Sequence, residues 1–518
     1  MMKNVTIPGC TSPRLLSVIK LSRKITGVFL LCLAAHSALA KDYLITNFGA
    51  KPGVTFINTE AINKAIDKCF RDGGGRVIIP TGTFKSGTII MKDNVELHLE
   101  IAATLLASAE SKDFPRQPQP VFRSQKDPGG WHALIYAEGA KNIAITGSGT
   151  IDGNGAQQKP DPNLLGGDRD GRPRNILFIS CKYIRVQGIK LLNSGLWNQH
   201  YLNCEDVIVD RIEVYNHSNR NNDAIDIDGC RRFILSNSIL DTDDDGITLK
   251  STGAALTGDV VITNCVVSSF CNAIKAGTES TGGFKNISIS NCVIKPSRNM
   301  RTPIYGLKGG ITGISLEIVD GGLMEGITIS NVSIEGTACP IYIRLGNRAR
   351  KHIAEAPEPP MGQMRNIAIS NVTACNTGNY SSSITAVPGY YVENVSLSNI
   401  QLYNDGEAEK EGFIAKAEDV KEDEKGYPQP TVWKNLPSSG FFIRHAKNVQ
   451  INGLMLGFKK TDPRVPVIAV DVDGLQIKNI AKINNSGADV FFFGKEVKNL
   501  DIDAPVGWEK RITNTGGK

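Results

Sequence analysis

A four-residue phrase, a polar or turn-forming residue followed by apolar–x–apolar, runs through most of this chain. It reads Asn142-Ile143-Ala144-Ile145, Tyr183-Ile184-Arg185-Val186, Asp206-Val207-Ile208-Val209, Arg232-Phe233-Ile234-Leu235 and Asp259-Val260-Val261-Ile262. Further copies begin at Asn286, Gly326, Asn366, Asn394, Asn448 and Gly474. Period-two alternation of β-branched residues predicts short strands. Steps of 23, 26, 27 and 27 residues from Ile184 through Val207, Phe233 and Val260 to Ile287 predict a solenoid. One coil cannot bury its own apolar face, so coils stack and bury it together. Gly and Asn sit too densely for helical repeats. The pattern predicts an all-β chain, a single right-handed parallel β-helix.

The register predicts which side chains stack. Ile225, Ile247 and Ile274 align as inward residues, one per coil. Two positions earlier lie Asp223, Asp245 and Asn272, and one position later Asp226, Thr248 and Lys275. With neighbouring strands about 4.8 Å apart, Asp223 and Asp245 become neighbours on adjacent coils, with Asp244 beside them. Seven aspartates fall between Asn219 and Ser251. Like charges brought together raise each other's pKa, which folding alone does not call for. Paired carboxylates, one protonated and one ionised, are what acid–base chemistry on sugars requires.

The ends differ from the middle. Thr59-Glu60-Ala61-Ile62 begins a predicted amphipathic helix with Ile62, Ala65, Ile66, Cys69 and Phe70 on one face, stopped by Gly73-Gly74-Gly75. It is expected to cap the β-helix within an N-terminal region of about residues 41–100. Three stretches interrupt the repeat: Gly155–Pro173, Leu345–Gly362 and Asn404–Ser439, the last with a charged, helical-looking piece at Gly406–Lys425. Such insertions build the rims of clefts in solenoids.

Composition narrows the class. The 518 residues carry a net charge of +6, but Lys3, Arg14, Lys20, Arg23 and Lys24 supply five of those charges in a stretch without acids, leaving +1 for the rest. No basic field for nucleic acid remains. Residues 1–40 read as a signal peptide: Arg23-Lys24, an apolar run Ile25–Ala35, and Ala38-Leu39-Ala40 for cleavage. That run is too short for a membrane span of about 20 residues. A secreted or periplasmic protein without stable membrane insertion is expected, with residues 41–518 as its one catalytic domain. Cys181, Cys204 and Cys230 share one offset from the repeat phrase, and Cys265 and Cys292 another, as inward ladders do. No C-x-x-C pair is present, so neither a metal nor a cofactor is expected.

The residues resemble a known family, the polygalacturonases of glycoside hydrolase family 28. Phe48-Gly49-Ala50, Gly73–Pro80 and Gly147-Ser148-Gly149-Thr150-Ile151-Asp152-Gly153 are similar to that family's first coils. The stronger match is Asn221-Asn222-Asp223 with Asp244-Asp245, 21 residues separating Asp223 from Asp244. The family's usual pattern is Asn-Thr-Asp, then Gly-Asp-Asp; here Asn222 replaces the Thr and Asp243 the Gly. The resemblance implies a pectin-lyase-like solenoid that hydrolyses α-linked galacturonides with inversion, on a pectic polysaccharide or oligogalacturonide. It makes Asp244 the general acid and gives Asp223 and Asp245 the attacking water.

Two departures accompany the resemblance. Cys271-Asn272-Ala273 stands where the family has Gly-His-Gly, and Gly306-Leu307-Lys308 where it has Arg-x-Lys for a substrate carboxylate. Endo-acting members usually carry both motifs, so exo-type release is expected. Lys275, Lys308 and Arg344 are candidates for the missing positive charge. Asn221, Asn272, Asp226, His200 and Glu279 complete the candidate substrate-binding set, and Glu317 lies in a nearby coil. Two rival classes share the fold: a calcium-dependent pectate-type lyase and a non-catalytic carbohydrate-binding β-helix. The lyase would yield an unsaturated, ultraviolet-absorbing product and lose activity with chelator.

Overall fold

The computed structural model describes residues 41–164, 169–299, 309–406, 416–433, 435–481 and 483–513. The signal-peptide stretch and Lys308 lie outside the described residues. From Tyr43 onward the chain is one unit, a right-handed parallel β-helix whose strands pair coil to coil in parallel. The right-handed sense is the one a crossover between twisted parallel strands favours.

The repeat phrase forms one continuous column. Ile143, Ile184, Val207, Phe233, Val260, Ile287, Ile327, Ile367, Val395, Val449 and Leu475 pair in unbroken register. All are buried. The phrase's first position also has a physical reason. Asn142, Asp206, Asp259, Asn286, Asn366, Asn394 and Asn448 all have φ between 54° and 58°. Each coil turns a corner there in the left-handed region, where Asn, Asp and Gly are favoured. Adjacent corner amides bond to each other, as Asn394 does to Asn366 at 2.9 Å.

Helix α1, Thr59–Arg71, buries Ala61, Ile62, Ala65, Ile66 and Cys69. Phe70, expected on the same face, is 42% exposed instead. The helix ends as Gly73 and Gly74 N–H donate to the Phe70 and Cys69 carbonyls. Residues 407–415 of the helix expected at Gly406–Lys425 lie outside the described residues; the described part from residue 416 holds a 3-10 turn, Ala417–Asp419.

Six successive strands on one face hold the candidate site residues: β1 Gln199–Leu202, β2 Ile225–Asp228, β3 Ile247–Ser251, β4 Asn272–Ser280, β5 Thr312–Ile318 and β6 Cys339–Leu345. Ile225 pairs Ile247, and Ile247 pairs Ile274, all fully buried as the register requires. The outward column reads His200, Asp226, Thr248, Lys275 and Ser315.

Candidate active site

Asp223 and Asp245 sit at the corners that lead into β2 and β3. The backbone ladder continues through those corners. Ala224 N–H donates to the Asp245 carbonyl at 3.0 Å, and Gly246 N–H to the Asn272 carbonyl at 2.8 Å. Asp223, Asp245 and Asn272 therefore form one column, with Asp244 beside it at the cleft surface.

The surroundings treat the two adjacent aspartates oppositely. Burial opposes ionisation of Asp245, but Lys275 and Lys250 outweigh it and hold the carboxyl below its ordinary value. Lys275 Nζ lies 3.0 Å from Asp245 Oδ2, and the Asn272 side-chain amide donates to Oδ1 at 2.7 Å. Asp244 is pushed up to about 6, by burial first and then by the charge of Asp245. Its Oδ1 accepts the Asp245 N–H at 3.0 Å and its Oδ2 the Asn221 amide at 3.5 Å. Asp223 is driven well above the carboxylate range by burial and by Asp226 and Asp244. Its Oδ1 has no hydrogen-bond partner among the described residues. Asp226, beneath it, is pushed up to about 8, chiefly by burial. Neither oxygen of Asp226 is hydrogen-bonded among the described residues, and Lys250 Nζ stands 3.6 Å away.

A cleft of about 650 Å³ opens over Asn221, Asp223, Asp244 and Asp245. The Leu345–Gly362 insertion lines it with Arg348, Arg350, Lys351 and His352, and the Asn404–Ser439 insertion with Tyr427. Lys126 and Trp197 complete its wall. The basic residues Arg348 to His352 went unassigned in the sequence reading, although their charge was a visible signal. Lys126 had none, because it lies outside any repeat phrase.

Several expected substrate contacts are used internally. Lys275 and Asn272 are buried beneath Asp245 and both donate to its carboxylate. Glu279 is buried and gripped by Lys126 at 3.1 Å, Arg350 at 3.3 Å and Lys250 at 3.5 Å, so it is no free acceptor for sugar hydroxyls. His200 is fully buried, its Nε2 3.1 Å from Asp228 Oδ2 and its ring edge-on to Trp197. Burial drives it down to about 4, so it is a neutral packing residue behind Asp226. Arg344 turns away from the cleft: it donates to the carbonyls of Ala386, Glu422 and Asp423 and stacks on Trp433. Its job is to fasten the late insertion to β6. Glu317 is buried, bonded to Ser315 and pushed up to about 7, first by burial.

Asp244, Asp245 and Cys271 offer ligand atoms within 4.8 Å of one another. That set does not suit calcium, which takes six to eight oxygen ligands. A thiol fills one corner, and the Lys275 ammonium already occupies Asp245.

The glycosyl hydrolases family 28 profile matches residues 69–418. A probable polygalacturonase from Vitis vinifera is 23% identical over 79% of this chain and 83% of its own length. An exo-poly-alpha-D-galacturonosidase from Dickeya chrysanthemi is 27% identical over 42% of this chain and 43% of its own. Among solved structures, an exopolygalacturonase from Thermotoga maritima superposes with a TM-score of 0.60 at 20% identity, covering 80% of this chain and 92% of that one. A family 28 exopolygalacturonase from Yersinia enterocolitica gives 0.61 at 19%, covering 87% and 79%. These two likenesses show the shared fold. With the profile spanning most of the chain and an aspartate cleft on a parallel β-helix, the chain belongs to glycosyl hydrolase family 28 and is a glycoside hydrolase.

Proposed function

We propose that the chain is a secreted, inverting, exo-acting hydrolase of α-linked galacturonides in polygalacturonan or rhamnogalacturonan. The observation that carries this reading is the divided protonation of Asp244 and Asp245. A carboxyl at about 6 beside one held below its ordinary value is an acid–base pair ready at mildly acidic pH. Asp244 gives its proton to the glycosidic oxygen as the C1–O bond breaks. Asp245, ionised through Lys275 and Asn272, takes a proton from a water that Asp223 helps to hold. The water's oxygen bonds to C1 from the face opposite the leaving group, which inverts the anomer. Bulk solvent then returns a proton to Asp244 and removes one from Asp245.

The exo assignment is supported by the insertions that wall the cleft and by the names of the Thermotoga and Yersinia proteins. Secretion is supported by the pattern of residues 1–40; among the described residues no helix is long and apolar enough to cross a membrane.

The test is a time course on polygalacturonan and on rhamnogalacturonan fragments. Reducing ends, ultraviolet absorbance, viscosity and the anomer of the first product are followed together. Reducing ends should rise without absorbance, with short products from the outset, slow viscosity loss and an inverted anomer. An absorbing, chelator-sensitive product would replace hydrolysis with elimination. Early viscosity collapse would replace exo with endo action.

A further inference from the structure

The cleft carries a cationic group of which only Lys250 also acts on the catalytic aspartates. Lys126, Lys250 and Arg350 come from three separate parts of the chain and converge on one carboxylate, Glu279, at 3.1, 3.5 and 3.3 Å. Arg350 also reaches Asp320 at 2.9 Å, which Arg348 holds at 2.7 Å. Leaving Lys126 aside, Lys250, Arg348 and Arg350 face two anions, Glu279 and Asp320. Asp226, the next acid near Lys250, is fully buried and carries a proton below about pH 8. Counted with the Lys275–Asp245 pair, which Lys250 also faces, four cations stand against three anions here. Uncompensated charge in a recess is unfavourable unless an anion arrives. Trp197 gives the group an aromatic side, its ring 4.9 Å from Lys126 Nζ and 4.8 Å from Lys250 Nζ. That ring is itself buried, so it packs against both lysines and fixes where their ammonium groups stand.

We propose that Lys126, Lys250 and Arg350, preorganised around Glu279, form the subsite that binds the carboxylate of a hexuronate unit next to the scissile bond. Arg350, carried by an insertion, takes over work that the family's Arg-x-Lys does elsewhere. Glu279 is its positioning residue: it holds three mutually repelling cations within reach of one ligand. The proposal rests on the galacturonide reading and adds the residues and the charge requirement.

The experiment compares trigalacturonate with its methyl ester. Wild type should cleave the free acid with a kcat/KM at least about tenfold higher, since a hydrogen bond to a charged group is worth roughly 1.5–3 kcal/mol. Arg350→Gln should raise KM for the acid about tenfold, change kcat far less, and remove most of the preference over the ester. Arg350→Lys should restore part of it. Lys126→Met, which leaves the Asp320 anchor intact, should act in the same direction. Melting curves and calorimetric titration of trigalacturonate into Asp244→Asn with and without Arg350→Gln separate lost binding from lost folding. If wild type cleaves acid and ester equally well, or both variants keep the preference, the subsite is refuted and the hydrolase reading stands. If wild type cleaves neither, the galacturonide reading falls and the subsite with it.

Discussion

Lys275 reaches back one coil to set its ammonium 3.0 Å from Oδ2 of Asp245. That contact separates two aspartates that are adjacent in sequence, holding one ionised while its neighbour keeps a proton to about pH 6.

Removing the ammonium should be visible in the pH profile. Without Lys275, the Asp245 carboxyl rises, and the base is lost at a higher pH. In Lys275→Met the acid limb of kcat/KM should move up by about one pH unit or more, with kcat falling rather than KM alone rising. The sequence by itself pointed to a KM effect, because it placed this lysine against substrate. An unmoved acid limb would show that Lys275 does not hold Asp245 ionised.

Asp244→Asn should remove the proton donor and lower turnover by roughly 10²–10⁴, with an unchanged melting profile. The alkaline limb of the wild-type profile should fall near pH 6, where Asp244 loses its proton. A variant retaining a tenth of wild-type turnover would assign the acid to another carboxyl.

Asp226 should govern stability more than turnover. Its folded pKa of about 8 lies above its ordinary 3.8. The folded state therefore binds the proton more tightly than the unfolded chain. This contribution is fully present below about pH 4 and is lost as pH rises toward 8. Asp226→Asn should flatten that decline, and its melting temperature relative to wild type should improve from pH 5 to pH 8. Parallel curves for the two proteins would mean that Asp226 is ionised throughout.

Arg344 should matter for structure and not for substrate. Its guanidinium satisfies three backbone carbonyls across two segments. Arg344→Ala should cost about 2–4 kcal/mol if two of them are left unpaired. Proteolysis should then begin within residues 416–433 while KM changes little. A large KM increase in a protein of normal stability would return Arg344 to the substrate.

The fold was legible because inward and outward residues alternate with a period of two, and because Asn, Asp or Gly marks most corners. The column from Ile143 to Leu475 and the stacking of Ile225, Ile247 and Ile274 follow from those signals. The aspartate column was legible for the same reason. What the register could not give was depth. Lys275, Asn272 and Glu279 share the face of the carboxylates, yet neighbouring corners and insertions cover them. His200 and Arg344 look alike as outward polar residues, but buried neighbours, Asp228 and the late insertion, claim their donors. The cationic wall was missed because Lys126 and Arg350 come from distant, non-repeating segments that only the folded chain brings to Glu279 beside Lys250.

The unequal coil lengths have a consequence for how this chain tolerates change. Ile287 pairs Ile327, 40 residues on, as cleanly as Val260 pairs Ile287, 27 residues on, and Ile225–Asp228 pairs the next strand without a register shift. Residues added within Leu345–Gly362 would reshape the cleft and leave the core untouched. A single deletion inside Ile225–Asp228 would instead reverse that strand's faces, sending Asp226 inward and Ile227 out. Variation by insertion is thus open to the walls that choose the substrate and closed to the strands that carry the aspartates.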